Sequence, residues 1–177
     1  MRPPDAFRRC PSCGAPAAAP GATPFVCGAC GFTYYFNPAV AAAALVVAPD
    51  GRGLFIRRSS EPARGKLAFV GGFVDPGESL EEALCREVLE EVNLELTSVR
   101  YLSSHRNDYA YRGLTYTVVD VFFVGHADEL DAVAARDGVE RVEWLDPYEV
   151  DPADVAFASM RDALAVYCAS ARPARGA

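Results

Sequence analysis

The sequence predicts an α/β or α+β sandwich carrying a small metal-bound module at its N-terminal end. Three observations predict it. Two CxxC pairs stand close together near the start. From Pro38 onward, β-prone apolar runs alternate with turn signals. Two amphipathic helical patterns lie far apart, one before and one after a group of strands. The 177 residues suffice for one ordinary domain with a small module attached.

Residues 1–9 read as a flexible tail. Residues 10–36 hold CPSCG (Cys10 to Gly14) and CGACG (Cys27 to Gly31), with the proline-rich segment Ala15 to Pro24 as a hairpin loop between them. Each pair puts two thiolates on one tight turn, and the glycine that follows lets backbone amides point at sulfur. Four thiolates from two such turns close a tetrahedron, so Cys10, Cys13, Cys27 and Cys30 are the expected ligands of a zinc ion. A redox CxxC is the alternative, which two matched knuckles fit poorly. The module has too few apolar residues to fold alone, so metal binding would supply its folding energy. Four cysteines leave no open position for water, so this zinc would be structural, or would dock a partner, rather than catalyse. Cys85 and Cys168 stand alone on helical patterns, where ordinary packing explains them.

The main domain is expected over residues 37–170. AVAAAALVVA (Ala39 to Ala48) reads as a buried strand, PDGRG as a turn and LFIRR (Leu54 to Arg58) as the returning strand. In KLAFVGGFVDPGES the paired glycines and Asp-Pro-Gly mark tight turns. Ser79 with Glu82 forms a capping-box pattern, which starts a helix over about Leu80 to Val92. LELTSVRYLSSHRN, TYTVVDVFFVG (Thr115 to Gly125) and VERVEWL (Val139 to Leu145) read as three further strands. A final helix runs from about Phe157 to Ala169, with Phe157, Met160, Leu164 and Tyr167 or Cys168 on its apolar stripe. Residues 171–177 read as a disordered tail.

The helix REVLEEVN (Arg86 to Asn93) is the chemically informative stretch. At about 100° per residue, Leu80, Leu84, Glu87 and Glu91 fall on one side of the helix, with Glu90 next to them. An apolar face thus turns into a carboxylate face. Such a stripe needs compensation. Divalent cations supply it, since hard ions such as Mg²⁺ or Mn²⁺ favour oxygen ligands.

GFVDPGESLEEALCREVLEEVNL, from Gly72 to Leu94, resembles the Nudix box. Gly72, Glu78, Arg86, Glu87, Val88, Glu90, Glu91 and Leu94 match its pattern in place. Asn93 stands where the family has glycine. That position closes the helix in a left-handed conformation, which asparagine tolerates next best. The resemblance implies a Nudix-type α/β/α sandwich with a mixed sheet. It implies Mg²⁺ or Mn²⁺ held by Glu87, Glu90 and Glu91, with Glu78 close by and the Gly72 carbonyl as a further ligand. It implies that Arg86 orients a box carboxylate through a charged hydrogen bond. The implied reaction is attack of water on one phosphorus of a diphosphate. Glu140, four residues before Trp144, is a candidate general base. A surface charge beside a strand is its alternative reading.

A four-cysteine ribbon followed by YYFNP (Tyr34 to Pro38) and the box resembles two Nudix groups. These are the NADH pyrophosphatases and the ribbon-bearing ADP-ribose or FAD pyrophosphatases. The Ser-Gln-Pro-Trp-Pro-Phe-Pro run of the first group is replaced here by SSHRNDYAYRG. The expected substrate is therefore a nucleoside diphosphate linked to a moiety X, with ADP-ribose or FAD favoured over NADH. Candidate substrate contacts are Arg57 and Arg58, of which one should face the pocket, with Phe73, Arg106, Tyr109 and Tyr111. Asn107 and Tyr116 lie nearby. The competing reading is a non-catalytic Nudix-like nucleotide sensor or interaction protein. A homodimer is the family-level expectation.

The formal net charge of −7 argues against broad nucleic-acid binding. No apolar run reaches the length of about eighteen residues that a membrane span needs. The start has no apolar signal core, so a cytoplasmic address is expected.

Overall fold

The computed structural model describes residues 1–170, and in it the N-terminal stretch expected to be loose is ordered. The expected tail at 171–177 lies outside the described residues. Pro3–Ala6 forms one helical turn (α1), and the Arg2 amide donates to Asp5 at 3.0 Å. The cause of order is Phe7. Its ring packs on Phe25, Tyr34 and Phe36 at centroid distances of 5.6, 5.3 and 4.7 Å. A single aromatic with three ring partners anchors the segment, a feature no local pattern in residues 1–9 reveals.

The chain divides into two units, and the first comprises Met1–Ala39 with Asp108–Val118. The module is thus larger than residues 10–36. Strands Phe25–Val26 (β1) and Thr33–Tyr34 (β2) pair antiparallel around the second knuckle. The first knuckle is closed by a bridge between Arg9 and Pro16. Each knuckle therefore makes its own hairpin, and Ala15 to Pro24 joins them instead of forming one shared loop. Thr115 of the distant segment donates its amide to the Met1 carbonyl at 2.8 Å.

The second unit begins at Val40 and resumes at Val119 after Asn107. Its frame is a seven-stranded sheet in the order β5-β4-β3-β8-β7, with β6 on β3 and β9 on β4. These strands are Ala39–Val47 (β3), Gly53–Arg58 (β4), Leu67–Ala68 (β5), Val70–Phe73 (β6), Ser98–Tyr111 (β7), Leu114–His126 (β8) and Val139–Leu145 (β9). Helices Leu80–Val92 (α2) and Ala158–Ser170 (α3) complete the α/β/α sandwich around this mixed sheet. The core is built on Phe55, Phe69 and Phe122, whose rings meet at 5.7 and 5.8 Å. Burying each large apolar side chain stabilises by about 1.5–3 kcal/mol.

One stretch departs from its sequence reading. Gly71 and Gly72 are strand residues, paired with Ala43 and Ala42, and do not form a turn. Two strands meet there too closely for side chains. A Cβ on Gly71 would lie 2.2 Å from the Ala42 carbonyl oxygen, and its φ is +145°. Strand β7 begins later than expected and continues to Tyr111, where Arg112 and Gly113 turn the chain at φ of 46° and 80°. Cys85 is exposed, so packing does not explain it.

Candidate active site and metal centres

In the first unit the two knuckles have one geometry. Gly14 and Gly31 adopt φ of 74° and 76°, and their amides donate to the Cys10 and Cys27 carbonyls at 2.9 Å in both cases. All four cysteine sulfurs lie within 4.8 Å of one another, with Cys10–Cys30 at 3.8 Å and Cys13–Cys27 at 3.7 Å. A tetrahedron with Zn–S of about 2.3 Å has edges of about 3.8 Å. The donor set therefore fits zinc. Backbone amides of Cys30 and Ala29 point at Cys27 and lower its pKa to about 6, while at Cys13 hydrogen bonds with the neighbouring thiols outweigh the Ala15 amide and raise it to about 12.

In the second unit α2 carries the carboxylates. Ser79 caps it: its hydroxyl accepts from the Glu82 amide at 3.2 Å, and Glu82 accepts from the Ser79 amide at 2.8 Å. Ala83, Leu84, Val88 and Val92 face the core, with Glu87 and Glu91 half-buried beside them and Glu90 exposed. Asn93 ends the helix at φ 57°, ψ 38°, the left-handed conformation expected of it. Its side chain also donates to the Ala132 carbonyl at 2.9 Å, a contact glycine could not make.

Arg86 is the hub. Its Nε and Nη2 donate to the two oxygens of Glu78 at 2.7 and 2.9 Å. Its Nη1 reaches Glu87 at 2.8 Å and Glu90 at 3.2 Å, and Nη2 also reaches the Phe73 carbonyl at 3.2 Å. A planar fork serves three carboxylates at once, which a lysine could not do. These hydrogen bonds hold the pKa of Glu78 down at about 2. Glu87 and Glu91 go the other way. Burial raises both, Glu91 to about 8, although the Gly71 amide donates to Glu91 at 3.1 Å. Glu87 and Asp137 raise Glu91 further, and Arg58 opposes them.

Enclosed carboxylates whose charge is disfavoured are suited to a hard cation. The oxygen donors of Glu87, Glu90 and Glu91 fit Mg²⁺ or Mn²⁺ by type. Among the described residues, however, only the cysteines have ligand atoms already gathered within 4.8 Å. The Arg86 guanidinium stands among the carboxylates and shares them out.

Other expected site residues are dispersed. The register of β4 against β9 shifts between Arg57 and Arg58. Arg57 is held by Glu143 at 2.7 Å and Asp154 at 2.6 Å. Arg58 lies over the Phe157 ring at 5.1 Å and is the one whose charge acts on Glu91. Phe73 is exposed beside the box. Glu140 stands where the register between β4 and β9 shifts, exposed and paired to Arg141 at 2.8 Å. Arg106 is on the exposed edge of the β7 alternation, while His105 and Asn107 are on the half-buried one. Tyr109 and Tyr111 belong to the first unit, with centroids 6.4 Å apart.

Sequence reasoning missed Asp137, which carries no local signal beyond its place before β9. It also missed Asp120, which does carry one: an acidic residue inside the apolar strand TYTVVDVFFVG.

Comparison with known proteins agrees with this geometry. The NUDIX domain family model matches residues 37–166. A protein named NAD-capped RNA hydrolase NudC from Pseudomonas fluorescens is 27% identical over 163 residues, covering 92% of this chain and 56% of that protein. The human mitochondrial NAD(P)H pyrophosphatase NUDT13 is 39% identical over 79 residues, covering 45% of this chain and 22% of that protein. The chain thus spans about half the length, or less, of these curated relatives. A crystal structure of a NUDIX hydrolase from Nitrosomonas europaea superimposes with a TM-score of 0.70 at 25% identity, covering 91% of this chain and 90% of that one. The NUDIX domain of Shewanella oneidensis NrtR, solved with ADP ribose, has a TM-score of 0.61 at 19% identity, covering 77% and 90%.

Proposed function

The chain belongs to the NUDIX domain family, and from that premise we propose that it hydrolyses the diphosphate bond of a nucleoside diphosphate linked to a moiety X. The observation that carries this reading is the Arg86 hub. One cation ties Glu78, just before the helix, to Glu87 and Glu90 on the helix that also bears the enclosed Glu91. Glu87, Glu90 and Glu91 would hold Mg²⁺ or Mn²⁺, with the Gly72 carbonyl as a further ligand. A bound cation supplies Lewis-acid stabilisation of charge on phosphate oxygens and lowers the pKa of water.

The remaining work falls to the chain. Arg86 holds Glu78, Glu87 and Glu90 by charged hydrogen bonds. Arg58, whose charge acts on Glu91, would meet a phosphate oxygen. Glu140 is the candidate general base, and Glu140→Gln tests it.

ADP-ribose or FAD remains the favoured substrate, because the post-box run of the NADH pyrophosphatases is replaced here. A second reading is a NAD-type dinucleotide, favoured by the names of the curated relatives. The test is a product-resolved assay with Mg²⁺ on ADP-ribose, FAD, NADH and a NAD-capped RNA, beside Glu90→Gln. Cleavage of one of these, lost in the variant, is the expected result. Tight nucleotide binding with no turnover anywhere would replace the enzyme by the sensor.

A further inference from the structure

Asp137 is an acid at a place where fold stability alone disfavours one. It lies in the segment that leads from the short 3₁₀ turn Leu130–Ala132 into β9. That segment closes the C-terminal end of α2. The Ala134 amide donates to the Val92 carbonyl at 3.0 Å, and the Arg136 amide to the Glu91 carbonyl at 2.9 Å. Carbonyls of a last helical turn have no partner within the helix, so these two bonds account for the backbone of the segment. They do not account for the side chain of Asp137. The negative end of the helix dipole favours a cation there, and the last turn of α2 contains no basic residue.

The same backbone contacts set Asp137 beside Glu91. Arg136, on one side of it, is bonded to the Glu91 backbone. Gly138, on the other side, turns the chain at φ 70°, and a Cβ there would lie 3.8 Å from Glu91 Oε1. The Gly138 carbonyl accepts from the Ser59 amide at 3.1 Å, which ties the turn to the residue after Arg58. The negative charge of Asp137 accordingly acts on the half-buried Glu91. Arg58 opposes that charge, but its guanidinium is already engaged by the Pro62 carbonyl at 2.8 Å and by the Phe157 ring. An aspartate before a turn glycine ordinarily hydrogen-bonds nearby backbone. This one is exposed, and among the described residues its carboxylate makes no hydrogen bond or ion pair.

We propose that Asp137 is a positioning residue of the cation site: its carboxylate accepts a hydrogen bond from a water molecule on the Mg²⁺ or Mn²⁺ held at Glu91. The proposal rests on the cation part of the diphosphatase reading and adds to it a carboxylate from outside the helix. Contact through water suits the geometry. Among the described residues the acidic side chains are not gathered within 4.8 Å of one another, and hard cations keep several waters. A carboxylate that hydrogen-bonds a bound water orients it and strengthens the site. The backbone bonds of Ala134, Arg136 and Gly138 hold Asp137 in place and leave its own oxygens open to that water.

The test uses the full chain with zinc bound, and Mn²⁺ alone as the probe. Electron paramagnetic resonance reads free Mn²⁺, and loss of binding in Glu91→Gln identifies the site on α2. Asp137→Asn should weaken that site about tenfold. Asp131→Asn makes the same change of charge in the 3₁₀ turn and should alter affinity about twofold or less. Asp137→Glu should return affinity to within about threefold of the wild type. Without Mn²⁺, Asp137→Asn should melt at the wild-type temperature or above it, because the lost group only repels Glu91. In a Mg²⁺ assay on ADP-ribose, FAD and NADH, the same variant should need about tenfold more Mg²⁺ for half-maximal rate. Wild-type Mn²⁺ affinity in Asp137→Asn, an equal loss in Asp131→Asn, or a lowered melting temperature of metal-free Asp137→Asn overturns the assignment. If Asp137→Asn does not fold, Asp137→Ser decides by the same readings. Weakened Mn²⁺ binding in Asp137→Asn, with no hydrolysis of any substrate by the wild type, overturns the diphosphatase reading and keeps the assignment; hydrolysis with unchanged Mn²⁺ affinity does the reverse. A wild type that binds no Mn²⁺ at α2 overturns both.

Discussion

The carboxylate of Glu87 occupies the space that a side chain on Gly72 would fill: a Cβ there would lie 2.6 Å from Glu87 Cδ. Strand β6 and helix α2 approach so closely because this glycine has no side chain. Gly72→Ala should displace the end of a flexible side chain and not the backbone. The expected cost is about 1 kcal/mol or less in a denaturant titration. Mg²⁺ affinity, read by calorimetry, should fall about tenfold, because Glu87 is moved. Gly71→Ala is the contrast, since it meets backbone at 2.2 Å and carries a positive φ. It should cost about 2–4 kcal/mol in the same titration.

Replacing Arg86 should separate geometry from charge. Arg86→Lys keeps the cation but loses the paired hydrogen bonds to Glu78 at 2.7 and 2.9 Å. We expect kcat/KM to fall about tenfold or more in Arg86→Lys, and further in Arg86→Gln. A lysine variant with wild-type kinetics would show that charge alone suffices.

The pH dependence divides by sign. Glu91 has its pKa raised from 4.5 to about 8, so the folded protein keeps a proton that the unfolded chain releases. Its contribution to stability is full below the unfolded value and is lost as pH rises toward 8. Glu78, lowered to about 2, contributes above the unfolded value and loses that contribution as pH falls from 4.5 through 2. Denaturant midpoints measured without Mg²⁺ or Mn²⁺, zinc retained, should fall between about pH 4.5 and about pH 8. Glu91→Gln should flatten that slope. Mg²⁺ should bind more tightly across the same interval, because binding releases the Glu91 proton.

Metal removal should act on the first unit. Its buried cluster is only Cys10, Phe25 and Cys27, flanked by partly buried residues such as Phe7, Phe32 and Phe36. One zinc per chain is expected by elemental analysis. Cys13→Ser, or stripping with a thiol-specific reagent, should release that zinc and open residues 1–36 to limited proteolysis. Full protease resistance after zinc loss would remove the folding role given to the metal.

Much was legible because local rules sufficed. The capping box at Ser79 and Glu82, the helix from Leu80 to Val92 and the left-handed Asn93 are set by neighbours within one turn. The paired knuckles are equally local. The order of Met1 to Arg9 was not legible, because Phe7 is held by rings that follow the first knuckle in the chain. Nor was the strand pairing of Gly71 and Gly72, since a glycine pair reads as a turn until a second strand is known to lie against it.

By itself, the sequence determined the chemistry available here: four thiolates in two matched turns, and a helix whose apolar stripe passes into carboxylates beside one arginine. Only the tertiary structure decided how that chemistry is tuned. It placed Glu78 under the Arg86 fork and enclosed Glu91 against Gly71. It brought the charge of Arg58 to bear on Glu91 and buried Asp120 against Ser159. The reason is physical: ligand type follows from residue identity, whereas pKa and orientation depend on burial and on charges that distant parts of the chain bring together.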